Sequence, residues 1–196
     1  MIQSESLNRL IAVFRTLPGV GGKTAARYAY KIIEGGTDEA EAFAAAILQA
    51  KKDIRFCTVC GTFTDRDVCE ICSTRSSKTI CVVAQPKDID PIEKAEAFNG
   101  TYHVLHGLID LNKGVDAEKL HLRELIARVG KGETEEVILA LNADIAGEVT
   151  TTYIANALKP LGVKVTRLAY GMSTGSEIEY TDPNTLQHAL TDRKPV

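Results

Sequence analysis

Two Cys-x-x-C pairs, Cys57-Thr58-Val59-Cys60 and Cys69-Glu70-Ile71-Cys72, stand eight residues apart in this chain of 196 residues. Four thiolates so spaced suit the tetrahedral shell of a structural zinc, because each pair presents both sulfurs from one tight knuckle. The apolar side chains of this segment are chiefly Val59, Phe63 and Val68. So small a segment cannot bury enough surface to fold alone, and metal binding supplies the missing free energy. Two other chemistries compete. Disulfides need an oxidising compartment, and the start Met1-Ile2-Gln3-Ser4-Glu5 lacks the basic-then-apolar pattern of an export signal. A redox Cys-x-x-C is usually single and follows a strand, whereas here two share one polar loop. One structural zinc ion per chain is therefore expected, held by Cys57, Cys60, Cys69 and Cys72. The fifth cysteine, Cys81, lies in the apolar run Thr79–Ala84 and is expected to be a buried small hydrophobe.

The second stretch with chemical content is Leu17-Pro18-Gly19-Val20-Gly21-Gly22-Lys23-Thr24. Glycines let the backbone bend sharply and let a phosphate approach the N–H groups at the start of the following helix. Lys23 and Arg27 lie one helical turn apart and can follow one phosphate track, holding DNA without reading its sequence. Gly22-Lys23-Thr24 also looks like the end of a nucleotide P-loop. The first glycine of that motif would fall on Leu17, however, and the loop follows a helix rather than a strand. A plain helix–helix turn with no ligand stays open as the alternative. His103, His106, His121 and His188 show no ligand spacing and are expected to be surface or satisfied core residues. Ser173-Thr174-Gly175-Ser176 is expected to be a simple loop. No serine, cysteine or histidine arrangement suggests a nucleophile.

These stretches need elements to position them. Leu7, Leu10, Ile11 and Phe14 recur at helical spacing over residues 4–15, with Ser4 or Ser6 as N-cap. From Thr24 the period resumes through Ala25, Tyr28, Ala29, Ile32 and Ile33, and Gly35-Gly36 ends it. A third helix, capped by Thr37 and running to about Lys52, is expected to bury Ala40, Phe43, Ala44, Ile47 and Leu48. Past residue 78 strands and helices alternate. Strands are expected at 80–84, 101–105, 136–141, 163–169 and, short and last, 177–180. Helices are expected at 90–98, 117–129, 148–158 and from Pro183 to about Leu190. Strands joined by crossover helices predict a mainly parallel sheet covered on both faces. The reading is a multi-module α/β chain: a helical module at 1–53, a zinc knuckle at 54–77, an α/β domain at 78–172 and a carboxy-terminal extension at 173–196.

An apolar content of 44% is that of an ordinary globular protein, and no apolar run approaches a membrane span, so a cytoplasmic protein is expected. A net charge of −3 excludes a generally basic nucleic-acid coat. DNA binding must then come from a local patch, or from several subunits adding their fields. The first 36 residues lean that way, with Arg9, Arg15, Lys23, Arg27 and Lys31 against Glu5 and Glu34.

The glycine hairpin running into Arg27, the four-cysteine knuckle and Ile80-Cys81-Val82-Val83, taken together, resemble the bacterial recombination mediator family RecR. The likeness continues through Glu136-Val137-Ile138-Leu139, Gly147 to Ala155, and Gly175 to Tyr180, and so covers essentially the whole chain. The resemblance implies a helix-hairpin-helix module, a four-cysteine zinc finger, a Toprim domain and a short extension. It implies a non-enzymatic mediator of recombinational DNA repair, assembled as a ring of four subunits or as a dimer. With RecO and RecF such a protein helps RecA replace single-strand-binding protein on single-stranded or gapped DNA. Carried onto this chain, the DNA-facing residues are Lys23 and Arg27, with backbone from Gly19 and Gly21.

Catalytic Toprim domains hold magnesium with a glutamate ending the first strand and an Asp-x-Asp ending the third. Here the first-strand position is Ala84, and the third-strand segment reads Leu141-Asn142-Ala143-Asp144, with Ala146 just before Gly147. Asp144 and Glu148 remain, as weak metal ligands or partner contacts, and are too few for two-metal phosphoryl chemistry. Two alternatives stand beside the mediator. One is a magnesium-dependent nuclease or primase-like Toprim enzyme using acids such as Asp88, Asp90 and Asp110. The other is a zinc-stabilised adaptor that binds only proteins.

Overall fold

The computed structural model describes residues 4–193 and Pro195. Met1–Gln3, at the start expected to carry no export signal, lie outside them, as do Lys194 and Val196 of the expected extension. The chain divides into two compact units, residues 1–54 and 55–196.

The first unit is three helices: α1 (Glu5–Phe14), α2 (Gly22–Glu34) and α3 (Thr37–Asp53). Ser4 caps α1, its Oγ accepting the Leu7 N–H at 3.4 Å. Between α1 and α2 the Val20 N–H returns to the Leu17 carbonyl at 3.1 Å, with Pro18 and Gly19 at the corner. Gly19 has φ +77, which a side chain would strain. Ala25 and Ala29 of α2 are fully buried, and Phe14 meets Tyr28 edge-on with ring centroids 5.8 Å apart. The face of α3 expected to be buried lies open: Phe43 is 51% exposed, Ile47 56% and Leu48 71%. Three helices alone leave too small an interior to cover this face within their own unit.

In the second unit a two-residue hairpin, β1 (Arg55–Phe56) and β2 (Phe63–Thr64), and a short helix, α4 (Glu70–Thr74), build the knuckle. The α/β body follows in the order β3 (Thr79–Val83), α5 (Ile89–Lys94), β4 (Thr101–Val104), α6 (Leu122–Val129), β5 (Glu136–Ala140), α7 (Ile145–Leu158), β6 (Lys164–Arg167) and α8 (Pro183–Thr191). The four-stranded sheet is all parallel, in the order β4-β3-β5-β6. Alternation along the strands divides the core. Ile80, Val82, Val137 and Leu139 face one way, onto Leu125 of α6 and Ile154 of α7. Cys81, Val83, Tyr102 and Val104 face the other, onto Ile89 of α5. The expected doubly covered α/β sheet is present.

Several boundaries differ from the sequence reading. The expected helix at 117–129 is broken, a 3-10 turn over Ala117–Lys119 preceding α6, and Leu120 has extended backbone at the break. The expected strand at 177–180 is a 3-10 turn, Ile178–Tyr180, with no strand partner among the described residues. Helix α7 starts three residues earlier than expected, because Asp144 caps it by accepting the Gly147 N–H at 2.8 Å. A Cβ on Gly147 would collide with the Asn142 carbonyl, so only glycine lets the chain leave β5 this tightly.

Candidate metal centre and candidate nucleic-acid interface

The knuckle folds its cysteines together through its own backbone. The Cys57 N–H bonds the Thr62 carbonyl at 2.7 Å, and the Gly61 N–H returns to the Cys57 carbonyl at 2.9 Å. Gly61 sits at φ +77, which closes this turn. Cys69 caps α4, its Sγ accepting the Cys72 N–H at 3.5 Å, while the Cys69 N–H reaches Cys57 Sγ at 3.3 Å. All four sulfurs lie within 4.8 Å of one another, and three of the cysteines are buried.

The separation of Cys60 Sγ and Cys69 Sγ is 3.6 Å. A disulfide needs about 2.05 Å, whereas sulfurs about 2.3 Å from one tetrahedral ion sit roughly 3.8 Å apart. The donor set therefore fits zinc. Burial pushes the Cys69 thiol up to about 11. The Cys60 thiol is raised further, by its hydrogen bond with Cys72 and then by burial. At Cys57 burial is outweighed by the N–H groups of Cys69, Cys60 and Val59, and the thiol falls to about 7. A divalent cation stabilises all four as thiolates at once. Cys81 stands apart in the core as expected, raised to about 12 by burial alone and chemically inert.

Histidines seat the knuckle on the α/β body, and no spacing in the sequence announced it. His106 Nε2 donates to the Gly61 carbonyl at 2.8 Å. Its ring lies against Phe56 and His121, with centroids at 4.6 and 4.7 Å. His106 holds φ +60, a strained value for a side-chain-bearing residue that these contacts stabilise. Next to it the Val104 N–H bonds the Cys60 carbonyl at 2.8 Å. His103 is buried, with Nε2 donating to the His121 carbonyl at 2.8 Å and Nδ1 unpartnered among the described residues. Burial lowers its pKa to about 4. Arg75, just past α4, forms an ion pair with Glu93 of α5, to which the Tyr102 hydroxyl also donates.

At the carboxyl ends of β3 and β5 lies a cavity of about 480 Å³, lined among others by Ala84, Asp88, Asp110, Asn142 and Asp144. This end of a parallel sheet is where α/β proteins place their chemistry. The acids here are already engaged. Asp88 accepts the Gln85 N–H at 2.8 Å, Asp110 pairs with Lys113 at 2.9 Å, and Asp144 caps α7. Glu148 points elsewhere, to Arg167 at 3.1 Å and to the Tyr170 hydroxyl at 3.0 Å. Asp90 is exposed and lies outside the lining. Among the described residues the four cysteines are the one group clustered as metal ligands.

In the helical unit the hairpin places Gly19, Gly21 and Lys23 at the start of α2, with Arg27 one turn further along. Gly21 is the N-cap and offers no side-chain bond, so the N–H groups of Gly22, Lys23 and Thr24 have no side-chain cap. Space beside Gly19, Gly21 and Gly22 is open to at least 4 Å from where a Cβ would stand. Lys23 and Arg27 are exposed on the face opposite Ala25 and Ala29.

Comparison with known proteins bears on all of these parts. Residues 7–51 match the RecR helix-hairpin-helix family model, and 54–74 match the RecR zinc-finger model with its four cysteines. Residues 78–169 match the Toprim domain model and 171–194 the RecR C-terminal model. The chain is 47% identical over 195 residues, 98% of each chain, to "Recombination protein RecR" of Moorella thermoacetica. This chain belongs to the RecR family. The family assigns it a role in recombinational repair, and the four cysteines hold one structural zinc. No described helix is long and apolar enough to cross a membrane.

Proposed function

We propose that this RecR-family chain is a non-enzymatic, sequence-independent DNA-binding mediator of the cytoplasm, acting with RecO and RecF to help load RecA onto single-stranded or gapped DNA. The observation that carries the reading is the uncapped glycine hairpin with Lys23 and Arg27 exposed beside it. Backbone N–H groups at a helix start bind phosphate, and two cations one turn apart extend the contact along a strand. Lys23, Arg27, Gly19 and Gly21 are the proposed contacts. The mediator assembles as a ring tetramer or a dimer, so that modest basic edges sum their potentials at the nucleic acid while each chain stays acidic overall. The open apolar face of α3 supports a subunit contact of this kind.

The Toprim domain acts here as a scaffold rather than as a magnesium enzyme. Ala84 and Asn142 stand where catalytic relatives carry acids, and Asp88, Asp110 and Asp144 are committed to backbone and lysine partners. Asp144 and Glu148 shape the domain, the one through the cap of α7 and the other through Arg167 and Tyr170. Replacing Lys23 and Arg27 together by glutamate is expected to abolish retardation of single-stranded and duplex DNA while zinc content stays at one per chain. Undiminished binding by that variant overturns the reading, as does magnesium-dependent nicking or primer synthesis by the wild-type protein.

A further inference from the structure

We infer that Tyr30 is a base-stacking side chain set into the cationic track of α2, and that it gives the module a preference for single-stranded over duplex DNA. The inference rests on the proposed role of Lys23 and Arg27 and adds to it the strand form that the track selects.

Helix α2 buries Ala25 and Ala29. At 100° per residue, the opposite face carries Lys23, Arg27, Tyr30 and, slightly to one side, Lys31. All four are exposed. The steps from Lys23 to Arg27 and on to Lys31 are each about 6 Å along the helix axis, and Tyr30 stands beside them, between Arg27 and Lys31 in height but turned about 60° from Arg27 on the side away from Lys31. Glu34 on the same face ends the track, because its charge repels a phosphate beyond Lys31.

The two tyrosines of α2 have different employment. Tyr28 packs edge-on against Phe14, and the Arg27 guanidinium stands over its ring at 5.9 Å. Tyr28 is itself 41% exposed, and what sets it apart is that its ring is already engaged by these two partners. Tyr30 is 38% exposed and has no aromatic, cation–π or side-chain hydrogen-bond partner among the described residues. An unpartnered ring beside a row of cations is the pairing that sequence-tolerant single-strand binding uses: charges follow the backbone and an aromatic face receives a base. In a duplex the base faces are occupied by their neighbours and only edges reach the grooves, so Tyr30 gains no stacking there without unstacking the helix.

The chain contains no tryptophan, so Tyr30→Trp introduces a single tryptophan, excited apart from the tyrosines, at the position in question. That variant is titrated with oligo-dT, with an abasic oligonucleotide of equal length, and with a duplex. Strong quenching by oligo-dT and little by the other two is expected. Tyr30→Ala is expected to weaken oligo-dT binding roughly 5- to 150-fold, the range of one stacked base, with duplex affinity unchanged and Tyr30→Phe close to wild type. If Tyr30→Trp binds oligo-dT without quenching, or Tyr30→Ala binds it normally, the inference falls while the DNA reading stands. Quenching that follows protein concentration without DNA marks a self-association surface and also overturns the inference. If glutamate at Lys23 and Arg27 leaves all binding intact, the DNA reading fails and the track with it.

Discussion

Four thiols crowded within 4.8 Å depend on a cation, and removing one of them disables the rest. Cys60→Ser is expected to lower zinc from one ion per chain to none by metal analysis and to cut the melting temperature sharply. Structural zinc sites contribute on the order of 10 kcal/mol to the folded state. Gly147→Ala drives a methyl group into the Asn142 carbonyl, so a loss of about 1–3 kcal/mol is expected in urea denaturation. His103 gives the protein an acid sensitivity of stated sign. Its folded pKa of about 4 lies below the unfolded value of 6.5, so the unfolded chain takes up the proton first. The stability it supports is complete above about pH 6.5 and drains away as the pH falls toward 4. His103→Gln, which keeps a donor for the His121 carbonyl, is expected to flatten the dependence of melting temperature on pH within that window.

At the scale of elements the open face of α3 is the plainest test of assembly. If Phe43 and Ile47 meet another subunit, replacing both with serine lowers the mass seen by light scattering without shifting the chain's own zinc content. This face also shows where a sequence can be read and where it cannot. Ala40, Phe43, Ile47 and Leu48 have the period of a packed helix, but a period says only that a face is apolar, not that the same chain covers it. The β3 run was legible because residues buried on both faces leave continuous apolar letters. The cysteines were legible because their spacing is itself the geometry of the site. The contacts of His106 with Gly61, 45 residues away, and of Arg75 with Glu93, 18 away, are set by tertiary approach and leave no local pattern. Thr150, buried in α7 and bonded to the Ile109 N–H at 2.9 Å, was equally silent. Glu177–Tyr180 reads as a strand by its letters, yet no described strand offers it hydrogen bonds.

For the whole molecule, charge bears most directly on function. With a net charge of −3, binding to DNA has to be local, and its affinity is expected to fall steeply with salt. If Lys23 and Arg27 each hold a phosphate as proposed, neutralising either one should reduce the slope of log K against log salt by about 0.7–0.9 per chain. A charge-neutral slope in the wild-type protein would point instead to protein-only recognition.

The bond from the Val104 N–H to the Cys60 carbonyl has a consequence for solubility. Strand β4 is the outermost on its side of the sheet, and an outermost strand with bare amides invites pairing with another molecule. The far margin, β6, is guarded by the charges of Lys164 and Arg167. On the β4 side the guard is the knuckle itself, helped by Arg128, whose guanidinium occupies the Tyr102 carbonyl at 2.7 Å. A chelator that strips the metal should therefore do more than loosen a small loop. It should turn the protein turbid.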